Sequence, residues 1–143
     1  MKLRFVCALS VLAAVLHAIW EFVQCVPFYA DGRFPMTLAG MLQAVTGDVA
    51  LTWLMFWATT LALRRPLGET AAVSRAGLAA LAAIGAILAT AIELHALSSG
   101  RWRYSALMPI VPGIGVGLLP LLQLMVLPAL ALRLAQRWMT SRP

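Results

Sequence analysis

Charged residues are scarce in this sequence: they make up 11% of its 143 residues, against about 25% in ordinary soluble domains. Apolar residues make up 62%, where about 45–50% is usual, and the mean hydropathy is +0.90. A globule of this length has too little interior to bury that excess. The composition therefore argues against a soluble enzyme, a disordered chain and a nucleic-acid-binding domain.

Cysteine and histidine are also rare, with two residues of each. Cys7 and Cys25 fall on one predicted helix, about 27 Å apart at the helical rise, so they cannot form an intrachain disulfide. The sequence contains no CxxC motif, and the EF-hand and HExxH spacings are missing. We therefore predict neither a metal ion nor a cofactor.

What the sequence does contain is four long apolar stretches. Each can cross about 30 Å of hydrocarbon, which takes roughly 20 helical residues. The predicted spans cover residues 5–27, 38–63, 77–97 and 114–134. We predict an all-α fold in which residues 1–143 form a single transmembrane domain, a polytopic four-transmembrane-helix bundle. We interpret the first stretch as a retained helix rather than a signal peptide, because its clearest small-x-small triplet comes too early to follow an apolar core.

The segment before the fourth span is broken by proline and glycine. Residues 108–117 contain Pro109, Pro112 and three glycines, which interrupt helical continuity. The sequence therefore predicts a short helix or a re-entrant segment on the outer side of the membrane, packed against protein or lining a cavity.

Basic residues predict the orientation of the bundle. With both termini in the cytoplasm, eight of them lie inside: Lys2, Arg4, Arg64, Arg65, Arg75, Arg133, Arg137 and Arg142. Only Arg33, Arg101 and Arg103 then lie outside. We therefore predict a multi-pass protein of the bacterial inner membrane with cytoplasmic termini, N-in and C-in.

Polar side chains interrupt all four spans. His17, Glu21 and Gln24 stand at i, i+4 and i+7 on the first helix, and thus on one face. The other helices contribute Gln43, Asp48 and Thr52, then Glu93, then Gln123. The titratable groups and Gln123 fall about 6–15 Å below the outer surface, at roughly 1.5 Å per residue. His95 points away from Glu93. The sequence therefore predicts a polar pocket in the outer half of the bundle.

Three interpretations of this pocket stay open. In the first, which we favour because four helices converge at one depth, His17, Glu21, Asp48 and Glu93 are acid/base or hydrogen-bonding groups acting on a ligand. In the second, the same groups hold a metal ion, although only His17 offers a nitrogen ligand. In the third, they form interhelical hydrogen bonds that set the helix register.

The predicted ligand-binding side chains surround these groups: Trp20, Gln24, Arg101, Arg103, Tyr104 and Gln123. The two glutamines and Tyr104 would orient the ligand, and Arg101 or Arg103 would meet an anionic head group. We predict that the pocket binds, or performs acid/base chemistry on, a small amphipathic lipid or isoprenoid-like molecule. The predicted partners are the bilayer, this ligand, and a larger complex or a second copy of the chain, but not nucleic acid. The alternatives are a non-catalytic accessory subunit of a larger membrane complex and a proton-coupled transporter.

Several short motifs carry a resemblance to a known group. They are His17, Trp20, Glu21, Gln24, Pro27 and Tyr29; Gly47 and Asp48; Glu93; and the blocks 100–104, 108–109 and 115–123. With these motifs the chain resembles a group of small, functionally uncharacterised bacterial inner-membrane proteins, over most of its length outside the predicted cytoplasmic loop. The resemblance implies four transmembrane helices and no particular activity. His17 and Glu21 are also similar to the H-x-x-x-E helix of EXPERA-type sterol isomerases and lipid-binding proteins.

Overall fold

Four helices account for most of the chain. The computed structural model describes residues 1–30, 32–33, 37–68 and 72–141. The helices are α1 (Leu3–Phe28), α2 (Leu38–Leu63), α3 (Arg75–Ser98) and α4 (Leu118–Thr140). All four are long and apolar enough to cross a bilayer. The predicted four-helix bundle is therefore confirmed, and the chain is a multi-pass membrane protein. Arg142, used above to predict the orientation, lies outside the described residues.

The first three helices match their predicted spans closely. α2 has the predicted bounds, and α1 and α3 each extend one or two residues further at either end. Thr37 and Ser74 define two of the helix starts, because their side-chain oxygens accept hydrogen bonds from the backbone N–H groups of Gly40 and Gly77. Each therefore satisfies a backbone donor that a helix start leaves unpaired.

The fourth helix begins at Leu118, so the predicted start at residue 114 is wrong. Of the two alternatives predicted for the preceding segment, a short helix or a re-entrant segment, the short helix is wrong, because residues 105–117 form turns. Gly113 and Gly115 adopt φ angles of 81° and 78°, a left-handed conformation that interrupts an α-helix. Ile110 and Gly117 pair in an antiparallel bridge. The segment thus folds back on itself before α4 begins.

The helices pack side by side in the order of the chain, and α4 closes the bundle against α1. The contact between α2 and α3 is less extensive than the other contacts between consecutive helices. We call the end with the α1–α2 and α3–α4 connections the loop end, and the opposite end the terminal end. At the loop end, β1 (Tyr29–Ala30) and β2 (Arg103–Tyr104) form a two-residue antiparallel ladder that joins the two connections, with Tyr29 opposite Tyr104.

The terminal end is filled by an apolar core. Its largest fully buried side chains are Phe5, Leu9, Met55, Leu81 and Leu132. On α3, a Cβ added at Gly85 would collide with the backbone carbonyl oxygen of Leu124, so glycine allows α3 and α4 to approach closely there. The polar side chains therefore concentrate in the half of the bundle near the loop end.

Candidate functional site

A cavity of about 930 Å³ lies in the loop-end half of the bundle. All four helices contribute to its wall, which combines apolar side chains with the predicted polar ones. The predicted site residues that line it are Glu21, Gln24, Asp48, Glu93, Arg101 and Gln123. Most of these side chains belong to one of two separate hydrogen-bonded clusters.

The first cluster, which we call the central network, starts at Trp20 and runs through two glutamines. Trp20 Nε1 donates to Gln24 Oε1 over 2.8 Å. Gln24 Nε2 in turn donates to Gln123 Oε1 over 2.6 Å and to Glu21 Oε1 over 3.0 Å. Since an indole N–H can only donate, Trp20 fixes which way both amides point. The amide nitrogen of Gln123 is therefore directed toward the acidic groups.

Gln123 Nε2 meets more acceptors than it has hydrogens. Asp48 Oδ2 lies 2.8 Å from it, Glu21 Oε1 2.9 Å and His17 Nδ1 3.2 Å. An amide nitrogen carries two hydrogens, and Glu21 Oε1 also accepts from Gln24 Nε2, so the hydrogens of Gln123 can serve Asp48 and His17. Among the described residues, Gln123 Nε2 is the one side-chain nitrogen that donates to Asp48, which makes Asp48 the carboxyl group of the central network with the fewest donors.

His17 also belongs to the central network, on the side away from the cavity. Its Nε2 lies 3.2 Å from Thr52 Oγ1, and Thr52 Oγ1 donates its own hydrogen to the backbone carbonyl of Asp48 over 2.9 Å. The hydroxyl can therefore only accept from the ring, which places the ring hydrogen on Nε2. His17 Nδ1 is then an acceptor that faces Gln123 Nε2 and lies 3.5 Å from Asp48 Oδ2. His17 is fully buried and does not line the cavity.

Cys25 adds a thiol to the central network. It lies one helical turn beyond Glu21 on α1, lines the cavity, and donates from Sγ to Glu21 Oε2 over 3.0 Å. A thiol is a weak donor, so it leaves the second Glu21 oxygen only partly satisfied.

The second cluster, which we call the Glu93 cage, surrounds one carboxyl group with three donors. Tyr29 donates to Oε1 over 3.3 Å, Trp102 Nε1 donates to Oε2 over 3.1 Å, and the Tyr104 hydroxyl also donates to Oε2. The backbone N–H of Gly117, the residue that caps α4, donates to the Tyr104 oxygen over 2.8 Å. Glu93 therefore ties α3 to both loop-end connections.

The aromatic rings of the Glu93 cage also pack on one another. The Tyr29 ring meets the Trp102 and Tyr104 rings edge to face, with centroids 6.0 Å and 5.7 Å apart. Burial raises the pKa of both tyrosines above its ordinary value. The charge of Glu93 adds to this effect at Tyr29, and the hydrogen bond to Glu93 adds to it at Tyr104. Both phenols are thus held in the neutral, hydrogen-donating form.

The structure brings together most of the predicted site residues, but not in one cluster. His17, Glu21 and Gln24 share one buried face of α1, as their spacing predicted. Glu93 has its hydrogen-bonding partners in the other cluster. Trp20, Arg103 and Tyr104 do not line the cavity: Trp20 acts through Gln24, Tyr104 acts through Glu93, and Arg103 is exposed on β2. His95 is exposed on α3, away from Glu93, as predicted.

Three cavity-lining residues that belong to the two clusters were missing from the predicted site: Cys25, Tyr29 and Trp102. The signal for Cys25 was present in the sequence, because it lies four residues after Glu21 and therefore on the same helix face. Tyr29 and Trp102 lie beyond the helix ends, where helical periodicity carries no information about direction. Across the described parts of the chain, no group of three or more His, Cys, Asp or Glu residues could hold a metal ion.

Comparison of the chain with protein-family models, with curated proteins and with solved structures gives no match. The geometry of the cavity and its two clusters is therefore the basis for assigning a function.

Proposed function

We propose that this chain is a lipid-binding protein of the bacterial inner membrane whose cavity holds a small amphipathic molecule. The observation that supports this proposal is the cavity of about 930 Å³, whose wall combines apolar side chains with buried polar groups. Sites for small molecules commonly measure about 300–1,000 Å³ and combine an apolar lining with a few polar groups that fix orientation. Both properties fit a ligand with one polar and one apolar part.

We also propose an orientation of the bundle in the membrane. Eight basic residues against three favour the terminal end in the cytoplasm, with both termini there. The loop end and the cavity would then face the periplasm and the outer leaflet. The bacterial inner membrane is the location that the family resemblance implies.

Within the cavity we propose that Glu21 and Asp48 meet the polar part of the ligand. Both line the cavity, and Glu21 Oε1 and Asp48 Oδ2 lie 2.9 Å and 2.8 Å from the same nitrogen, Gln123 Nε2. Two carboxylates held this close repel each other, so we infer that the pair shares one proton. That proton is available for acid/base chemistry on a ligand that reacts. His17, behind them, would hold Gln123 and Asp48 in place without touching the ligand.

Binding fits the structure better than proton-coupled transport. Transport would need a route from the cavity through the terminal half of the bundle. That half is filled by large apolar side chains, among them Phe5, Met55 and Leu132. A role as an accessory subunit of a larger complex remains as an outcome of the experiment below.

Gly47 offers a way to test the proposal without disturbing the fold. It lies on α2 at the cavity wall, and a Cβ added there would meet no atom within 4 Å. A leucine at this position would occupy the cavity, and replacing glycine within a helix would stabilise it by about 0.5–1 kcal/mol. The matched control is Ala62→Leu, at an exposed position on the same helix that does not line the cavity.

The measurement is mass spectrometry of the lipids that co-purify with each variant in mild detergent. We expect the wild type and Ala62→Leu to retain the same lipid species, and Gly47→Leu to retain at least ten-fold less, with an equal or higher melting temperature. If Gly47→Leu carries the same lipids as the wild type, the proposal is wrong. Stable isolation of the wild type with a large assembly, and without any lipid in the cavity, would instead support the accessory subunit.

A further inference from the structure

We propose that the ligand is a single-chain lipid whose head group donates hydrogen bonds, such as a long-chain alcohol or amine, and that it reaches the cavity sideways between α2 and α3. This inference rests on the proposed function, because it specifies the ligand of the same cavity. Three observations carry it: the few donors that reach Asp48, the charge of the cavity wall and the exposure of α2 residues that line the cavity.

The carboxyl group of Asp48 determines what the head group must supply. Among the described residues, Gln123 Nε2 is the one side-chain nitrogen that donates to it, over 2.8 Å to Oδ2. Within the described residues, no amide, hydroxyl or ring N–H donates to Asp48 Oδ1, and Glu21 Oε2 has only the Cys25 thiol. A hydroxyl or amine on the ligand would provide the missing hydrogen. A head group that can only accept would increase the imbalance.

The charge of the cavity wall also favours a head group that donates hydrogen bonds over an anionic one. Glu21, Asp48 and Glu93 line the cavity, and Arg101 is the one basic residue among its described lining residues. Arg101 is exposed, and its guanidinium lies 5.3 Å from the centre of the Trp102 ring. An anionic head group would therefore meet Arg101 only at the rim, and at the central network it would face carboxyl groups. Neutral and cationic head groups do not incur this repulsion.

The described part of the loop end is held together by contacts between its two connections. The ladder between β1 and β2 joins these connections. The rings of Trp102 and Tyr104 pack edge to face against Tyr29, and all three side chains donate hydrogen bonds to Glu93. A ligand that entered between these residues would have to separate these contacts.

The side of the bundle offers a more direct route. Several α2 residues that line the cavity are exposed: Gln43, Thr46, Gly47, Ala50 and Leu54. The helix that carries them makes a less extensive contact with α3 than with α1. We therefore place the opening of the cavity between α2 and α3, toward the hydrocarbon chains of the bilayer.

The same opening provides a place for the apolar part of the ligand. Ala50, Leu51 and Leu54 of α2 face the cavity opposite Ala89 and Ile92 of α3. A volume of about 930 Å³ corresponds to sites that enclose one small molecule, which favours a ligand with one chain. With its head at Glu21 and Asp48, the chain of the ligand would lie along these residues toward the lipid.

The head-group inference is tested with three probes that share one eighteen-carbon chain: octadecan-1-ol, octadecylamine and octadecanoate. Delipidated protein is mixed with pairs of probes, and the bound probe is measured by native mass spectrometry. We expect the alcohol and the amine to bind at least ten-fold more tightly than octadecanoate. We also expect Asp48→Asn to reduce this preference to less than three-fold, because it removes a carboxyl group and adds two donors.

The outcomes separate this inference from the proposed function. Binding of octadecanoate as tight as that of the alcohol overturns the donor head group, even if Gly47→Leu still loses its native lipids. The same conclusion follows if none of the three probes binds while Gly47→Leu loses those lipids. Retention of native lipids by Gly47→Leu overturns the proposed function itself.

The route is tested with octadecan-1-ol that carries a photoreactive diazirine in mid-chain, added to protein in liposomes. After irradiation, we expect cross-linked peptides from α2 around residues 50–54 and from α3 around residues 89–92, and we expect Gly47→Leu to abolish both. Cross-links confined to residues 99–117, in the connection at the loop end, would overturn the sideways route.

Discussion

The two polar clusters of this bundle place similar carboxyl groups in opposite situations. In the Glu93 cage, one carboxyl group receives three donors from the connections at the loop end. In the central network, Gln123 Nε2 is the one side-chain nitrogen among the described residues that donates to Asp48. The cage is saturated, so its carboxyl group holds the structure together. Asp48 has fewer donors, so its oxygens remain able to bind a ligand.

This difference shows that a buried carboxyl group in a transmembrane bundle does not by itself indicate a functional group. The number of donors that reach it separates the two roles, since buried polar groups are normally fully hydrogen-bonded. Three experiments, from the largest expected effect to the smallest, test this comparison.

The largest effect is expected for the stability of Glu93→Leu. This substitution leaves Tyr29, Trp102 and Tyr104 without their common acceptor, and buried donors that lose their partner are costly. We expect the free energy of unfolding to fall by about 3 kcal/mol, which lowers the melting temperature in detergent by roughly 10 °C. Thermal unfolding followed by circular dichroism measures this change.

The matched control is Asp48→Leu, which removes from the central network the carboxyl group with the fewest donors. Gln123 Nε2 still has Glu21 and His17 as acceptors. We therefore expect a loss of about 1 kcal/mol or less. Equal losses in Glu93→Leu and Asp48→Leu would show that the two clusters do not differ in the way proposed.

An intermediate effect is expected when Trp20 is changed to phenylalanine. Without the indole N–H, nothing fixes the Gln24 amide, and the direction of the hydrogen bonds toward Glu21 and Asp48 is no longer set. We expect the affinity for octadecan-1-ol to fall about five-fold, which corresponds to about 1 kcal/mol. The control is Trp57→Phe, at an exposed position near the terminal end. An unchanged affinity in Trp20→Phe would contradict a directing role for Trp20.

The smallest effect is a spectroscopic one that reports on the Glu93 cage alone. The chain has two tyrosines, and both belong to this cage. Because burial raises the pKa of each, we expect no tyrosinate absorbance in the folded protein at a pH of about 10, the ordinary pKa of tyrosine. The unfolded chain should ionise near that value.

The same raised pKa values have a consequence for stability. The folded state favours the neutral phenols, so their contribution to stability is complete below a pH of about 10 and is lost as the pH rises through the higher pKa values of the folded state. If half of the tyrosinate signal of the folded protein appears near pH 10, one of the two tyrosines lies outside the cage.

Much of the fold could be predicted from the sequence, because hydrocarbon thickness and hydropathy dictate where helices form. The bounds of α2 are the predicted ones. The start of α4 was misplaced because Ile114 and Val116 continue the apolar pattern of the span. The left-handed conformations of Gly113 and Gly115 keep this segment out of the helix. They are a property of the backbone, which hydropathy does not describe.

The sequence predicted many of the residues that form the site, but not that they divide into two clusters. Spacing placed His17, Glu21 and Gln24 on one face, and depth placed Glu93 near them. Spacing describes one helix at a time, so it gives no indication of how α3 is rotated relative to α1. The partners of Glu93 come from the ladder between Tyr29 and Tyr104, which pairs residues 75 positions apart in the chain. No local sequence pattern predicts such a pairing.

Trp20 does not line the cavity, but its hydrogen bond to Gln24 determines how both glutamine amides of the central network are oriented. Each amide has an oxygen and a nitrogen of similar shape, so both orientations would fit the same space. The indole at the start of the series permits only one of these two arrangements. An acceptor in place of Trp20 would reverse both amides, point the Gln123 oxygen at the Asp48 carboxyl group and remove the amide donor that Asp48 now has. The chemical selectivity of the cavity is thus encoded in a side chain that its ligand would never touch.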